Sequence, residues 1–207
     1  MIRNLQDLQR GAEALIAAEP RFRAPYDAIA GDIPLRLREP GFATLLSAIV
    51  SQQVSTAAAA AIWGRVSAAG LITPEAVNTA TEDDLRAVGL SRPKVKYARA
   101  LAQSGLEFDA LSLLTDEEAI KALVALPGIG IWTAEIYLLF SLGRPDVLPA
   151  GDLALQIAAS KLFGIEARMS ERDLRALAAG WAPWRGVAAR LLWVWYRVDT
   201  SREGIAI

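Results

Sequence analysis

The chain has 207 residues, 53% of them hydrophobic, with 22 basic and 23 acidic side chains for a formal net charge of −1. That suits one compact domain or two small lobes, and it argues against a protein that coats nucleic acid through excess positive charge. There is no cysteine and no histidine, which excludes disulfides, thiolate metal sites, cysteine nucleophiles, iron–sulfur clusters and a Ser-His-Asp triad, and leaves catalysis to carboxylates, hydroxyls, Lys, Tyr or backbone dipoles.

The elements read as helix after helix, rich in Ala and Leu and without the alternation of a strand. A first helix is expected from about Asn4 to Ala18, stopped by Pro20. A second begins near Pro40–Gly41 with Phe42, Leu45, Leu46 and Ile49 at helical spacing. It breaks over Ser51-Gln52-Gln53-Val54-Ser55, where Ser55 can cap an Ala-rich helix that ends at Gly70. Thr73-Pro74 and Thr81 open two short helices. Ser91 to Gln103 reads as a basic helix, and Thr115 caps one that runs into Leu123. Ile131 to Leu142 is strongly apolar and ends at Gly143; Asp152 to Phe163 ends at Gly164. Ser170 to Asp173 resembles a capping box, and a last helix runs from near Trp184 to near Arg197.

Between two of these helices lies Leu126-Pro127-Gly128-Ile129-Gly130. Pro127 stops the first helix, and the glycines permit tight or positive-φ backbone and close approach of a ligand. Free amides at the start of the next helix then favour a phosphate. The string alone also reads as an ordinary turn. Twenty-two positions after Gly130, Asp152 precedes an apolar-periodic run, which by itself reads as a helix N-cap.

The string Leu126 to Ala134 resembles the helix-hairpin-helix motif. Together with Asp152, Ser51 to Ser55, Gly89 to Lys96 and Trp181 to Arg185, it makes the region from about Phe42 to Tyr196 similar to the HhH-GPD DNA glycosylase superfamily. Within it, the chain resembles the 3-methyladenine DNA glycosylase II (alkylpurine) branch in a short form without the N-terminal β domain. The resemblance implies an all-α fold of two helical lobes around a cleft. The central lobe would span about 41–149, with its hairpin at 124–142, and the second lobe 1–40 plus 150–207.

It further implies a monofunctional enzyme of base excision repair. Such an enzyme flips an alkylated purine, such as 3-methyladenine or 7-methylguanine, out of double-stranded DNA and hydrolyses its N-glycosidic bond to leave an abasic site. Asp152 would be catalytic, and Trp132 and Trp193 would line the base pocket with Ile136 and Tyr137. Ile136 stands where the family has a pocket Tyr. Gln53 would be the wedge entering the DNA, or else a residue capping a helix end. Gly128, Gly130, Thr133 and Lys96 would meet phosphates. Carbonyls of Val124, Leu126 and Ile129 would hold a monovalent cation, Na or K; no cofactor is otherwise required. Lyase relatives carry a Lys where this chain has Trp132, so no AP-lyase activity is expected.

Lys94, Lys96 and Arg99, and likewise Arg185 and Arg190, read either as phosphate-facing patches or as solvated helix faces. For any single Trp, core packing is the competing role. Two other functions fit parts of the chain: a non-catalytic hairpin module that binds DNA, and a glycosylase for deaminated or oxidised bases. No apolar run approaches the ~20 residues that span a bilayer, and no signal-peptide pattern opens the chain. The expectation is a cytoplasmic monomer, nucleoid-associated if prokaryotic.

Overall fold

The computed structural model describes residues 1–200. Its helices are α1 (Leu5–Ala18), α2 (Arg23–Asp27), α3 (Phe42–Ser51), α4 (Thr56–Ala68), α5 (Pro74–Thr79), α6 (Glu82–Ala87), α7 (Arg92–Gln103), α8 (Asp116–Val124), α9 (Ile131–Phe140), α10 (Leu153–Leu162), α11 (Glu171–Leu177) and α12 (Arg185–Thr200), with short 3₁₀ turns between some of them. No strand occurs among the described residues.

Local chemistry sets most helix starts. Asn4, Ser55, Thr73, Thr81, Thr115 and Ser170 each accept a hydrogen bond from an amide two turns' width or less into the helix they open. Thr81 with Asp84 and Thr115 with Glu118 are complete capping boxes. Ser170 makes only half of one: Asp173 accepts from the Ser170 hydroxyl at 2.7 Å instead of reaching the cap amide.

The chain forms two compact units, 38–137 and 1–37 with the residues from 138 onward. The division falls inside α9, between Tyr137 and Leu138, rather than near 149. Phe140 explains why the residues after it go with the second unit: its ring stacks on Trp193 of α12, centroids 5.7 Å apart.

In the unit 38–137, α7 is the central element and packs on α3, α5 and α6. Val95, Ala98, Leu101 and Ala102 of α7 are buried, as are Leu45, Ile49, Val77 and Leu85 on the helices it packs against, each leucine-sized side chain contributing about 1.5–3 kcal/mol on burial. In the other unit α12 has that place and packs on α1, α2 and α10. A cluster of Phe22, Phe163 and Trp181, with edge contacts at 5.1 and 6.4 Å, closes its base.

Candidate active site and nucleic-acid interface

In the unit 38–137, α8 ends at Val124 and the chain turns tightly. The Leu126 amide donates to the Leu123 carbonyl at 3.1 Å, and the Ile129 amide donates to the Leu126 carbonyl at 3.1 Å. Ile129 is buried and anchors the loop. The two glycines have different reasons to be there. Gly128 sits at φ +87, and a Cβ on it would run into the ring of Tyr97. Gly130 has no positive φ, is exposed, and a Cβ there would meet nothing within 4 Å. Neither backbone conformation nor packing requires glycine at 130.

The hairpin is braced from the end of α3. The Gln52 side-chain amide donates to the Gly128 carbonyl at 2.9 Å. The next residue, Gln53, is exposed at φ +57, a left-handed conformation that a side chain other than Gly, Asn or Asp rarely takes. Gln52, not Gln53, is the residue that closes α3.

Along α9, Trp132 is half-buried, while Thr133 and Ile136 are buried. The Tyr137 hydroxyl accepts a hydrogen bond from the Gly41 amide at 2.8 Å, and burial, with Asp109 adding to it, pushes the phenol up to about 12. Its hydroxyl is thus engaged at the start of α3.

The basic residues form the patches that their spacing suggests only in part. Lys94 is buried; its Nζ donates to the Val50 carbonyl at 2.7 Å, and burial lowers its pKa. An ammonium needs acceptors, and the open carbonyls at the end of α3 supply one. Lys96 is exposed and lines a groove of about 430 Å³ with Arg92, Arg99 and Glu82. Arg99 also donates to the Ala80 carbonyl at 2.8 Å.

In the other unit, Asp152 precedes α10 and is 3% exposed. Its Oδ1 accepts from the amides of Ala154 at 2.8 Å and Leu155 at 3.1 Å. The carboxylate therefore stands at the positive end of the helix dipole. The strand of chain before it is pinned twice, by Gln156 Nε2 on the Ala150 carbonyl at 2.9 Å and by Arg175 Nη1 on the Leu148 carbonyl at 3.2 Å. Neither support has a local sequence signal, because each partner is fixed by the helix it rides on. Leu153, directly after Asp152, is 52% exposed.

Trp193 is buried against Phe140, and its indole Nε1 has no hydrogen-bond partner among the described residues. With Phe140, Arg190 and Val194 it lines a cavity of about 10 Å³, room for one water and no more. Arg190 is no surface residue. It is 3% exposed, lies 4.7 Å over the Phe140 ring, and donates to the carbonyls of Gly186 and Leu139 at 3.0 and 3.2 Å. Burial, with Arg36 nearby, pulls its guanidinium down to about 9. Arg185 is held in a two-pronged pair with Asp146, at 2.9 and 2.6 Å. A phosphate-facing pair at 185 and 190 is thereby overturned: one side chain is buried on carbonyls and the other neutralised.

The hairpin carbonyls fit a monovalent cation in kind. Val124 is the last residue of α8, so its carbonyl lies among those with no partner inside the helix. Oxygen donors at the negative end of a helix dipole suit a hard cation. Among the described residues no group of three or more acidic side chains could hold a metal ion.

An all-helical chain in which a glycine hairpin feeds one helix, and a capping carboxylate opens the next, is a helix-hairpin-helix protein. Residues 46–183 match the family described as HhH-GPD superfamily base excision DNA repair protein, and the chain belongs to that family. It is 35% identical over 211 residues to the probable bifunctional transcriptional activator/DNA repair enzyme AlkA of Mycobacterium tuberculosis; the match takes in 92% of this chain but only 41% of that relative's length. Among solved structures, the DNA-3-methyladenine glycosidase of Bacillus halodurans is 35% identical, with a TM-score of 0.80 over 92% of this chain and 90% of that one. The 3-methyladenine DNA glycosylase Mag1 of Schizosaccharomyces pombe, in complex with abasic DNA, is 26% identical with a TM-score of 0.78 over 92% and 96%.

Proposed function

We propose that this protein is a monofunctional DNA glycosylase that hydrolyses the N-glycosidic bond of alkylated purines in duplex DNA, acting as a monomer. The observation that carries the reading is Asp152, a carboxylate withdrawn from solvent and fixed by two backbone amides. An N-alkylated purine already carries positive charge and leaves without protonation, which suits a chain with no histidine. Help is needed at the sugar, which develops oxocarbenium character as the bond breaks, and at the attacking water. A fixed anion in a site shielded from solvent stabilises that cation more strongly than one in bulk water, and it can orient the water or take its proton.

The hairpin contributes the grip on DNA. Open space over Gly130 and the amides at the start of α9 suit a phosphate oxygen. Val124, Leu126 and Ile129 would hold a Na or K ion there, which would supply positive charge beside the phosphate. Gln53, exposed at a turn tip, is the wedge. Trp132 offers an aromatic face for the flipped base, and it carries no amine with which to form a Schiff base, in keeping with hydrolysis without strand cleavage. The names of the B. halodurans and S. pombe relatives, both 3-methyladenine enzymes, support the alkylpurine assignment, and that of the M. tuberculosis relative supports DNA repair.

The test is single-turnover release from duplexes bearing 7-methylguanine, 3-methyladenine, hypoxanthine, uracil or 8-oxoguanine. Free methylated base with intact, alkali-labile strands is the expected result. Tight binding with no base released would make the chain a DNA-binding module. Release confined to neutral bases would move the substrate to another lesion class.

A further inference from the structure

We propose that Gln52 is a positioning residue that locks the hairpin and the wedge into one DNA-engaging unit; the inference rests on the reading of the hairpin and Gln53 given above. Its side-chain amide spans 76 positions of sequence to reach the Gly128 carbonyl. The other end of that same peptide, the Ile129 amide, donates to the Leu126 carbonyl. The 128–129 peptide is thus pinned at both ends. Were it free to flip, the Gly128 carbonyl would swing toward the Leu126 carbonyl, both hydrogen bonds would be lost and the hairpin would change shape. Gln52 holds the hairpin in the orientation that suits an anion.

The same residue governs Gln53. The backbone leaves α3 at Gln52, whose own amide donates to the Ile49 carbonyl at 3.3 Å, and goes left-handed at the next residue. With its side chain fixed on the hairpin, Gln52 sets where that turn tip projects. A second brace runs in parallel through α7. Lys94 holds the Val50 carbonyl at the end of α3, and Tyr97, three residues on, lies beneath Gly128. The end of α3 and the hairpin are therefore held to each other directly by Gln52 and jointly by α7. DNA gripped by the hairpin meets Gln53 at a fixed offset, so that phosphate binding and base displacement are one event.

The experiment compares wild type with Gln52→Met, Gln53→Ala and the double variant, and with Gln52→Glu as a second way to remove the donor. Thermal melting establishes folding. Fluorescence anisotropy on an undamaged duplex reads the grip, and emission of 2-aminopurine beside an abasic-site analogue reads wedge insertion without any chemistry. Gln52→Met is expected to weaken duplex affinity about tenfold, the loss of one partly buried hydrogen bond that organises a site, and to reduce 2-aminopurine emission as far as Gln53→Ala does. The double variant should show no further loss of emission, because a wedge that is no longer presented has nothing left to lose. Gln52→Glu should behave as Gln52→Met, and it carries the test if Gln52→Met does not fold. The proposal is overturned if either Gln52 variant matches wild type in affinity, if the two losses multiply in the double variant, or if emission does not respond to Gln53→Ala. A wild type that releases no base overturns the glycosylase reading alone, since neither binding readout depends on excision.

Discussion

The ring of Tyr97 occupies the space that a side chain on Gly128 would need. Together with φ +87, this makes Gly128 a structural requirement, whereas Gly130 is free of both constraints. The two glycines should therefore separate in experiment. Gly128→Ala is expected to cost about 2–4 kcal/mol of stability, from a left-handed alanine and a collision with an aromatic ring. Gly130→Ala should melt within about 0.5 kcal/mol of wild type yet bind duplex DNA about tenfold more weakly, because its methyl group stands where a phosphate oxygen would approach. Equal loss of binding and stability in the two variants would contradict that division.

Asp152 has a cap to make and, on the proposed reading, a reaction to run. Asn and Asp cap helices about equally well, whereas Ala costs about 0.5–2 kcal/mol. Asp152→Asn should accordingly keep the amides of Ala154 and Leu155 satisfied, melt near wild type and still bind DNA, while its single-turnover excision falls at least about a hundredfold. Asp152→Ala should lose both stability and activity. Near-normal turnover by Asp152→Asn would reduce Asp152 to a cap.

The contrast between Thr115 and Lys94 shows what could be read from the sequence. Thr115 and Glu118 are three residues apart, and their capping box depends on nothing beyond α8; the same holds for Thr81, Ser55 and the proline-started α5. Most helix starts were legible for that reason, and so was the hairpin, whose glycines and proline act locally. Lys94 lies 44 positions from the carbonyl it serves, Arg190 lies 51 from Leu139, Gln52 lies 76 from Gly128 and Tyr137 lies 96 from Gly41. A helical wheel assigns a lysine or arginine to solvent, because periodicity contains no information about which distant helix ends will need a donor. The short α2 was missed on other grounds: five residues are too few to show a period. At the candidate site, the residue types were visible in sequence and their supports, Gln156 and Arg175, were not.

Burial of the Tyr137 phenol gives a stability signature at alkaline pH, which the Gly41 amide, by donating to the phenol oxygen, partly offsets. Below pH 10 the phenol is protonated in both folded and unfolded chains. Above it the unfolded phenol ionises, whereas burial holds the folded one protonated up to about 12. The unfolded state then binds fewer protons, so this contribution is present below pH 10 and is lost as pH climbs from 10 towards 12. Tyr137→Phe lacks that linkage and also lacks the acceptor for Gly41, at a cost of about 1 kcal/mol. Urea unfolding at pH 8 and pH 11 should show wild type ahead of Tyr137→Phe at the lower pH and the gap narrowing at the higher one. An unchanged gap would mean that the hydroxyl is not buried on Gly41.

Gln53 is a second place where stability and function should part. At φ +57 a glutamine is strained by about 1 kcal/mol or more, and glycine is not. Part of that relief is offset by the greater freedom glycine gains in the unfolded chain. Gln53→Gly is therefore expected to melt at or slightly above the wild-type temperature. If the turn served only the fold, the variant would be neutral or better in every assay. A use outside the fold would make the side chain matter where glycine would fit with less strain. The wedge reading gives that use, and it requires Gln53→Gly to excise 7-methylguanine from duplex DNA about tenfold more slowly than wild type. It should lose much less against a lesion in single-stranded DNA, where no base stack has to be opened. Single-turnover rates on the two substrates, measured beside the melting curves, decide between the readings: equal rates for variant and wild type on the duplex would remove Gln53 from the DNA interface.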